Sequence, residues 1–110
     1  MSDAQHLSPR INAARMADFV GKEARLVGRV LSMDSTRMTI EACDGGQVIV
    51  TNIANADIEN SFVEVVGKVT NSTTIHMHAC INMGNDLDTK LVNDTIELIH
   101  DSRYYSKIFS

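Results

Sequence analysis

Aromatic side chains are scarce in this sequence, which has no tryptophan, two tyrosines and three phenylalanines among its 110 residues. None of these five lies between Ala24 and Ile53, where three strands are predicted below. Proteins that bind single-stranded nucleic acid tightly stack bases on aromatic side chains in a basic groove. The formal net charge is −4, so a basic footprint is missing as well. We therefore expect no strong autonomous binding of nucleic acid.

Long apolar runs and closely spaced cysteines are also missing. No stretch approaches the roughly 18 apolar residues of a membrane-spanning helix, and the first ten residues lack the apolar core of a secretory signal. The two cysteines, Cys43 and Cys80, lie far apart and form no CxxC motif. The number and spacing of the cysteines indicate free thiols in a protein of the cytosol or nucleus. We predict neither a membrane anchor nor secretion.

Motifs of catalysis and cofactor binding are absent too. The sequence has no GxSxG, HExxH, P-loop or Rossmann glycine pattern. His76 and His78 share one strand face with Cys80 and could form part of a zinc site. No second pair at ligand spacing accompanies them, so we interpret them as solvated strand residues. We predict that the protein is not an enzyme and has no catalytic residue, no metal and no cofactor.

The first two thirds of the chain alternate apolar and polar residues in the manner of β-strands. Gly28 and Gly67 interrupt two of these segments, which indicates bulges or tight coiling as at a barrel corner. Asp44-Gly45-Gly46 indicates a hairpin, and Asn12 can cap a short helix over Ala13–Phe19. The five predicted strands are 24–33, 38–43, 47–53, 62–69 and 75–83. We predict an all-β protein, a five-stranded antiparallel OB-fold barrel with a short N-terminal plug helix and a C-terminal α-helix.

The C-terminal segment 86–101 (DLDTKLVNDTIELIHD) indicates one helix of about four turns with Asp86 as its N-cap. At about 100° per residue its apolar side chains form two stripes, whereas a surface helix on one core needs one. We predict that one stripe packs on the barrel and the other binds a partner; a helix sunk in a groove of a single domain is the alternative. We assign Leu87, Leu91 and Leu98 to the barrel, and Val92, Ile96 and Ile99, whose β-branching suits a helical seam, to the partner.

Four segments resemble, in order and spacing, the smallest-subunit family of eukaryotic replication protein A. They are Pro9-Arg10-Ile11-Asn12-Ala13, Val27-Gly28-Arg29-Val30, residues 63–69 (VEVVGKV) and Ile99-His100-Asp101. The resemblance extends from about residue 8 to residue 101. It implies an OB-fold whose C-terminal helix joins helices of the large and middle subunits in a three-helix bundle. It also implies a nuclear, heterotrimeric complex that binds single-stranded DNA in replication, repair and recombination.

The role that the resemblance implies for this chain is mainly architectural, with most DNA contacts made by the partners. All six apolar helix residues are then candidates for the subunit interface. Arg25, Arg29 and Arg37 are candidates for a weak auxiliary DNA contact, although such arginines are more often solubilising surface charges. The predicted organisation is a flexible N-terminus over 1–10, the barrel over 11–84, the assembly helix over 85–102 and a tail over 103–110.

Two other functions remain open from the sequence. One is a small OB-fold subunit of a telomere-capping complex, similar in design but paired with a different partner. The other is a stand-alone OB module that binds oligonucleotide or oligosaccharide, which an aromatic or basic stripe would favour and which the scarcity of aromatic residues disfavours.

Overall fold

A computed structural model describes residues 8–54 and 56–101. The predicted tail and most of the predicted flexible N-terminus lie outside the described residues. The elements are strands β1 (Arg10–Ile11), β2 (Glu23–Met33), β3 (Arg37–Ala42), β4 (Gln47–Thr51), β5 (Phe62–Asn71) and β6 (Thr74–Asn82), a 3-10 helix (Ala13–Phe19) and helix α1 (Thr89–His100). Ser8 is buried and Arg10 begins β1, so the folded domain includes residues before 11.

Five of the strands close into a barrel in the order β2-β3-β4-β6-β5, and β5 returns to pair with β2. The predicted five-stranded barrel is therefore confirmed. The prediction that every pair is antiparallel is wrong, because β4 and β6 run parallel. A closed ring with an odd number of strands cannot alternate direction all the way round, so one parallel pair is unavoidable. The two-residue β1 is an addition to the prediction and pairs in parallel with the edge of β2.

The barrel interior is filled by alternate side chains of these strands, and the 3-10 helix adds Met16, which is fully buried in the same core. The predicted plug helix is confirmed, with the Asn12 side chain accepting a hydrogen bond from the amide of Arg15 as its N-cap. The pairing of β5 with β6 shifts register at Val66/Gly67. A Cβ at Gly67 would overlap the backbone of the neighbouring strand, so the predicted bulge at this glycine is confirmed.

Helix α1 is shorter than the sequence predicts. Asp88, not Asp86, is the N-cap, and its carboxylate accepts a hydrogen bond from the amide of Leu91. Leu87 therefore precedes the helix, which has 12 residues and about three turns. His100 lies in the last turn, where the helix dipole favours a cation. Among the described residues, no helix has the length and apolarity to cross a membrane.

Candidate assembly helix and nucleic-acid face

One side of α1 is buried against its own chain. Ile96 is only 1% exposed, and Val92 and Ile99, on one flank of it, are half-buried. These are the three residues that the sequence pattern assigned to a partner. The burial of Ile96 within its own chain favours the opposite assignment of the two helix faces.

The opposite side of α1 is exposed and apolar. Leu91 is 62% exposed and Leu98 48% exposed, and their spacing of seven positions places them two turns apart on one face. Leu87, just before the helix, is half-buried. We call Leu91 and Leu98 the leucine face. Large exposed apolar side chains on a helix whose other side is already buried are typical of a protein-binding surface.

Polar residues that the helical wheel places toward solvent explain why the β-branched stripe, and not the leucine face, is buried. Asn93, Glu97 and His100 share the second flank of Ile96, and all three contact the N-terminal segment. The Asn12 amide nitrogen donates to Asn93 Oδ1 at 2.8 Å and to Glu97 Oε2 at 2.6 Å. Helix orientation is thus set by contacts between residues more than 80 positions apart in sequence.

Two further contacts complete this polar flank. Arg15 donates from Nε and Nη2 to the two carboxylate oxygens of Glu97, at 3.1 and 2.7 Å. His100 Nε2 lies 2.7 Å from the carbonyl oxygen of Arg10. Hydrogen bonds from Arg15, and then from Asn12, hold the pKa of the Glu97 carboxyl below its ordinary value. Glu97 is therefore a charged acceptor that is stabilised in its ionised form.

Glu64 is a buried charge beneath the same N-terminal segment. Its side chain is 3% exposed and lies 2.6 Å from Arg10 Nε and 3.9 Å from Arg25 Nη1. A buried carboxylate requires such pairing, and removal of one partner is strongly destabilising. Strand alternation predicts that the Glu64 side chain points away from the barrel interior. It is nevertheless buried, and Arg10 of the N-terminal segment binds it. The sequence signal for this pairing is limited to Arg10 in the PRINA segment and Arg25 in β2, both distant from Glu64 along the chain.

The three candidate DNA-contacting arginines do not form one basic surface. Arg25 lies beside Glu64, and Arg29 Nη2 is 3.2 Å from Glu41 Oε1. Arg37 is exposed at the start of β3. Backbone hydrogen bonds from Thr36 and then Arg37 lower the pKa of Asp34, and the charge of Arg37 lowers it slightly further. Each arginine thus has an acidic neighbour, which reduces its attraction for phosphate.

The face of an OB barrel that binds oligonucleotides is formed by its second and third strands, which here are β3 and β4. Their outward side chains carry no aromatic ring; they are Arg37, Thr39 and Glu41 on β3 and Gln47, Ile49 and Thr51 on β4. Base stacking on such a face would have no aromatic platform.

The histidines and thiols have structural partners. The rings of His76 and His78 meet edge to face at 5.6 Å, and His78 Nδ1 lies 3.1 Å from Glu23 Oε1. Within the described ranges, no three His, Cys, Asp or Glu side chains converge as a metal site would require. The Cys43 thiol donates to the carbonyl of Val27 at 3.3 Å. Burial raises the pKa of Cys43 to about 11 and raises that of Cys80 as well, which favours the protonated form of both thiols.

Sequence comparisons with known proteins point to one family. The model of the family described as "Replication factor A protein 3" matches residues 1–105. A relative from Arabidopsis thaliana, a 14 kDa subunit of replication protein A, is 24% identical over 96 residues, which are 87% of this chain and 90% of the relative.

Comparison with solved structures shows that other proteins share this fold. A chain in the structure of U. maydis replication protein A bound to single-stranded DNA is 25% identical, with a TM-score of 0.79 and coverage of 94% of this chain and 95% of that one. The telomere capping protein Ten1 from S. pombe has a TM-score of 0.68 at 12% identity, covering 82% of this chain and 94% of Ten1. At that identity the likeness to Ten1 shows a shared fold only.

Proposed function

Because the chain belongs to the replication factor A protein 3 family, we propose that it is the small assembly subunit of a heterotrimeric complex that binds single-stranded DNA. Its role is architectural rather than enzymatic, and it acts in the nucleus in DNA replication, repair and recombination. Its partners are the large and middle subunits of replication protein A. Helix α1 joins helices of those subunits in a three-helix bundle.

The leucine face carries this proposal. Full burial of a leucine side chain contributes about 1.5–3 kcal/mol relative to exposure, and Leu91 and Leu98 are still 62% and 48% exposed in the free chain. A helix partner that covers both gains part of this apolar burial without disturbing Ile96, which is already buried within the chain. Of the six residues predicted for the interface, we now assign the contact to Leu91 and Leu98, with Leu87 at its edge.

Single-stranded DNA is bound mainly by the partners in this proposal. The β3–β4 face lacks aromatic side chains, and each candidate arginine has an acidic neighbour. Arg25, Arg29 and Arg37 contribute at most a weak electrostatic contact, which would weaken steeply with salt. The same features disfavour a stand-alone oligonucleotide-binding module.

The test is co-purification of the complex with the double variant Leu91→Glu and Leu98→Glu. Because each leucine is only about half exposed in the free chain, loss of both removes about 1.5–3 kcal/mol if the contributions add, which lowers affinity by about tenfold to a hundredfold. We expect a folded, soluble subunit that no longer co-purifies with the large and middle subunits.

A matched control changes two exposed apolar residues on β2 instead of α1. Leu31 and Met33 are 38% and 54% exposed, so Leu31→Glu with Met33→Glu makes the same chemical change at comparable exposure. This control should co-purify as the wild type does. Retention of the partners by the leucine-face variant would disprove the proposed interface.

A further inference from the structure

The PRINA segment has no role in the proposed interface, yet its residues contact both the barrel and α1. We infer that residues 10–15 form a clamp that fixes α1 on the barrel, and that Asn12 is its positioning residue. We call this segment the N-terminal clamp. The inference concerns the free chain; only its consequence for assembly rests on the proposed function.

Asn12 has the hydrogen-bonding pattern that the clamp requires. Its side chain is almost completely buried, at 2% exposure. Both amide hydrogens bond to α1, one to Asn93 and one to Glu97, while its oxygen accepts from the amide of Arg15. Two donors and one acceptor on a short side chain are what an asparagine supplies. Aspartate would keep the acceptor but lose both donors and add a negative charge beside Glu97.

The N-terminal clamp is itself bound to the barrel. β1 pairs with β2, and Ile11 and Met16 are fully buried in the core. The side chain of Arg10 bonds to the buried Glu64, while its carbonyl lies against His100. The segment that holds α1 is therefore itself fixed by core packing, strand pairing and an ion pair.

Apolar contacts alone contribute little to the docking free energy of α1. Among the residues of this helix, all of which the structure describes, only Ile96 is fully buried, and an isolated helix of about 12 residues is marginally stable in water. Asn12 and Arg15 together add four side-chain hydrogen bonds to α1, three of which end on the ionised Glu97. Hydrogen bonds to charged groups are stronger than neutral ones. The Arg15–Glu97 pair is partly exposed, at 27% and 47%, and such pairs contribute little. The nearly buried bonds of Asn12 are therefore the main contribution of the clamp to α1 docking.

A clamped helix affects assembly through preorganisation. A partner that binds a fixed helix does not have to order it, and a smaller ordering cost gives tighter binding for the same contacts. The clamp therefore presents the leucine face in one orientation before the partners arrive. Release of the clamp weakens assembly although no clamp residue belongs to the leucine face.

Amide hydrogen exchange on the full-length free chain tests the clamp without any partner. Asn12→Asp should speed exchange of the α1 amides by about tenfold or more, while the β2–β6 amides keep their protection. Asn71→Asp is the matched control, because the Asn71 side chain accepts from Thr73 in an exposed turn and an aspartate can do the same. It should leave α1 exchange unchanged.

Glu97→Ala tests the clamp from the helix side, at an exposed position that does not touch the barrel core. It too should speed α1 exchange while the barrel stays protected. Unchanged α1 exchange in both variants would overturn the inference. If Asn12→Asp unfolds the whole chain, the outcome for Glu97→Ala decides: selective release of α1 supports the clamp, and wild-type exchange overturns it.

Assembly measurements separate the clamp from the proposed function. Asn12→Asp should weaken binding to the partner subunits by about tenfold, whereas the leucine-face variant should lose binding with α1 still protected. Selective release of α1 in a chain whose wild type binds neither partner would support the clamp and refute the proposed function. Loss of α1 protection with unaltered partner affinity would refute the preorganising role.

Discussion

The reversed assignment of the helix faces gives a sharp prediction for two alanine variants on α1. Ile96 is 1% exposed and Leu91 is 62% exposed. Truncation of a buried isoleucine to alanine costs about 2–5 kcal/mol, because the apolar contacts are lost and a cavity remains. A surface substitution usually changes stability by less than about 0.5 kcal/mol, and alanine favours the helix at Leu91. We expect Ile96→Ala to be the more destabilising change by about 2 kcal/mol or more.

Thermal unfolding of the isolated chain, followed by circular dichroism, measures the difference. For a domain of about 100 residues, each kcal/mol shifts Tm by roughly 4–8 °C, so Ile96→Ala should lower Tm by about 8 °C or more and Leu91→Ala by about 4 °C at most. Both variants remove methyl groups from the same helix, so a general loss of helix stability would affect them equally. Equal decreases in Tm, or a larger one for Leu91→Ala, would refute the observed orientation of α1.

Four further results are expected. Gly67→Ala should be strongly destabilising, since its Cβ would overlap the backbone of β6; a wild-type melting curve would contradict the bulge. The lowered pKa of Glu97 means that its contribution is full above about pH 4.5, its ordinary value, and declines as pH falls through the folded-state pKa. Exchange of α1 amides, corrected for intrinsic rates, should therefore rise on acidification in that range, and less so in Glu97→Ala. The free chain should bind a labelled single-stranded oligonucleotide weakly at physiological salt, and submicromolar affinity by fluorescence anisotropy would contradict the architectural role. Reductant should leave Tm unchanged, because Cys43 and Cys80 are free thiols.

The barrel could be predicted from the sequence because its signals are local. Alternation of apolar residues located each strand, and Gly28 and Gly67 marked places where backbones approach closely: a Cβ on Gly28 would lie 2.7 Å from the Glu41 carbonyl oxygen. The parallel β4–β6 pair is a property of ring closure rather than of either strand. The odd number of strands predicts one parallel pair, but no residue pattern shows which pair it is.

The candidate site was predictable only in part, because its orientation depends on distant contacts. Periodicity located both apolar stripes of α1, yet Ile96 and Leu98 carry similar hydrophobicity and nothing within the helix ranks them. The deciding residue, Asn12, was recognisable as a helix cap but not as the partner of Glu97. A polar side chain on a helical wheel is assigned to solvent by default, and the buried bonds of Asn12 reverse that default here.

Native mass spectrometry of the complex purified from source cells tests the central claim most directly. If the chain is the small assembly subunit, it should be found in one copy with one large and one middle subunit of replication protein A, and the leucine-face variant should be missing from that assembly. Recovery of the wild-type chain alone, or in a pair with a single different OB-fold partner as expected for a telomere-capping complex, would contradict the account.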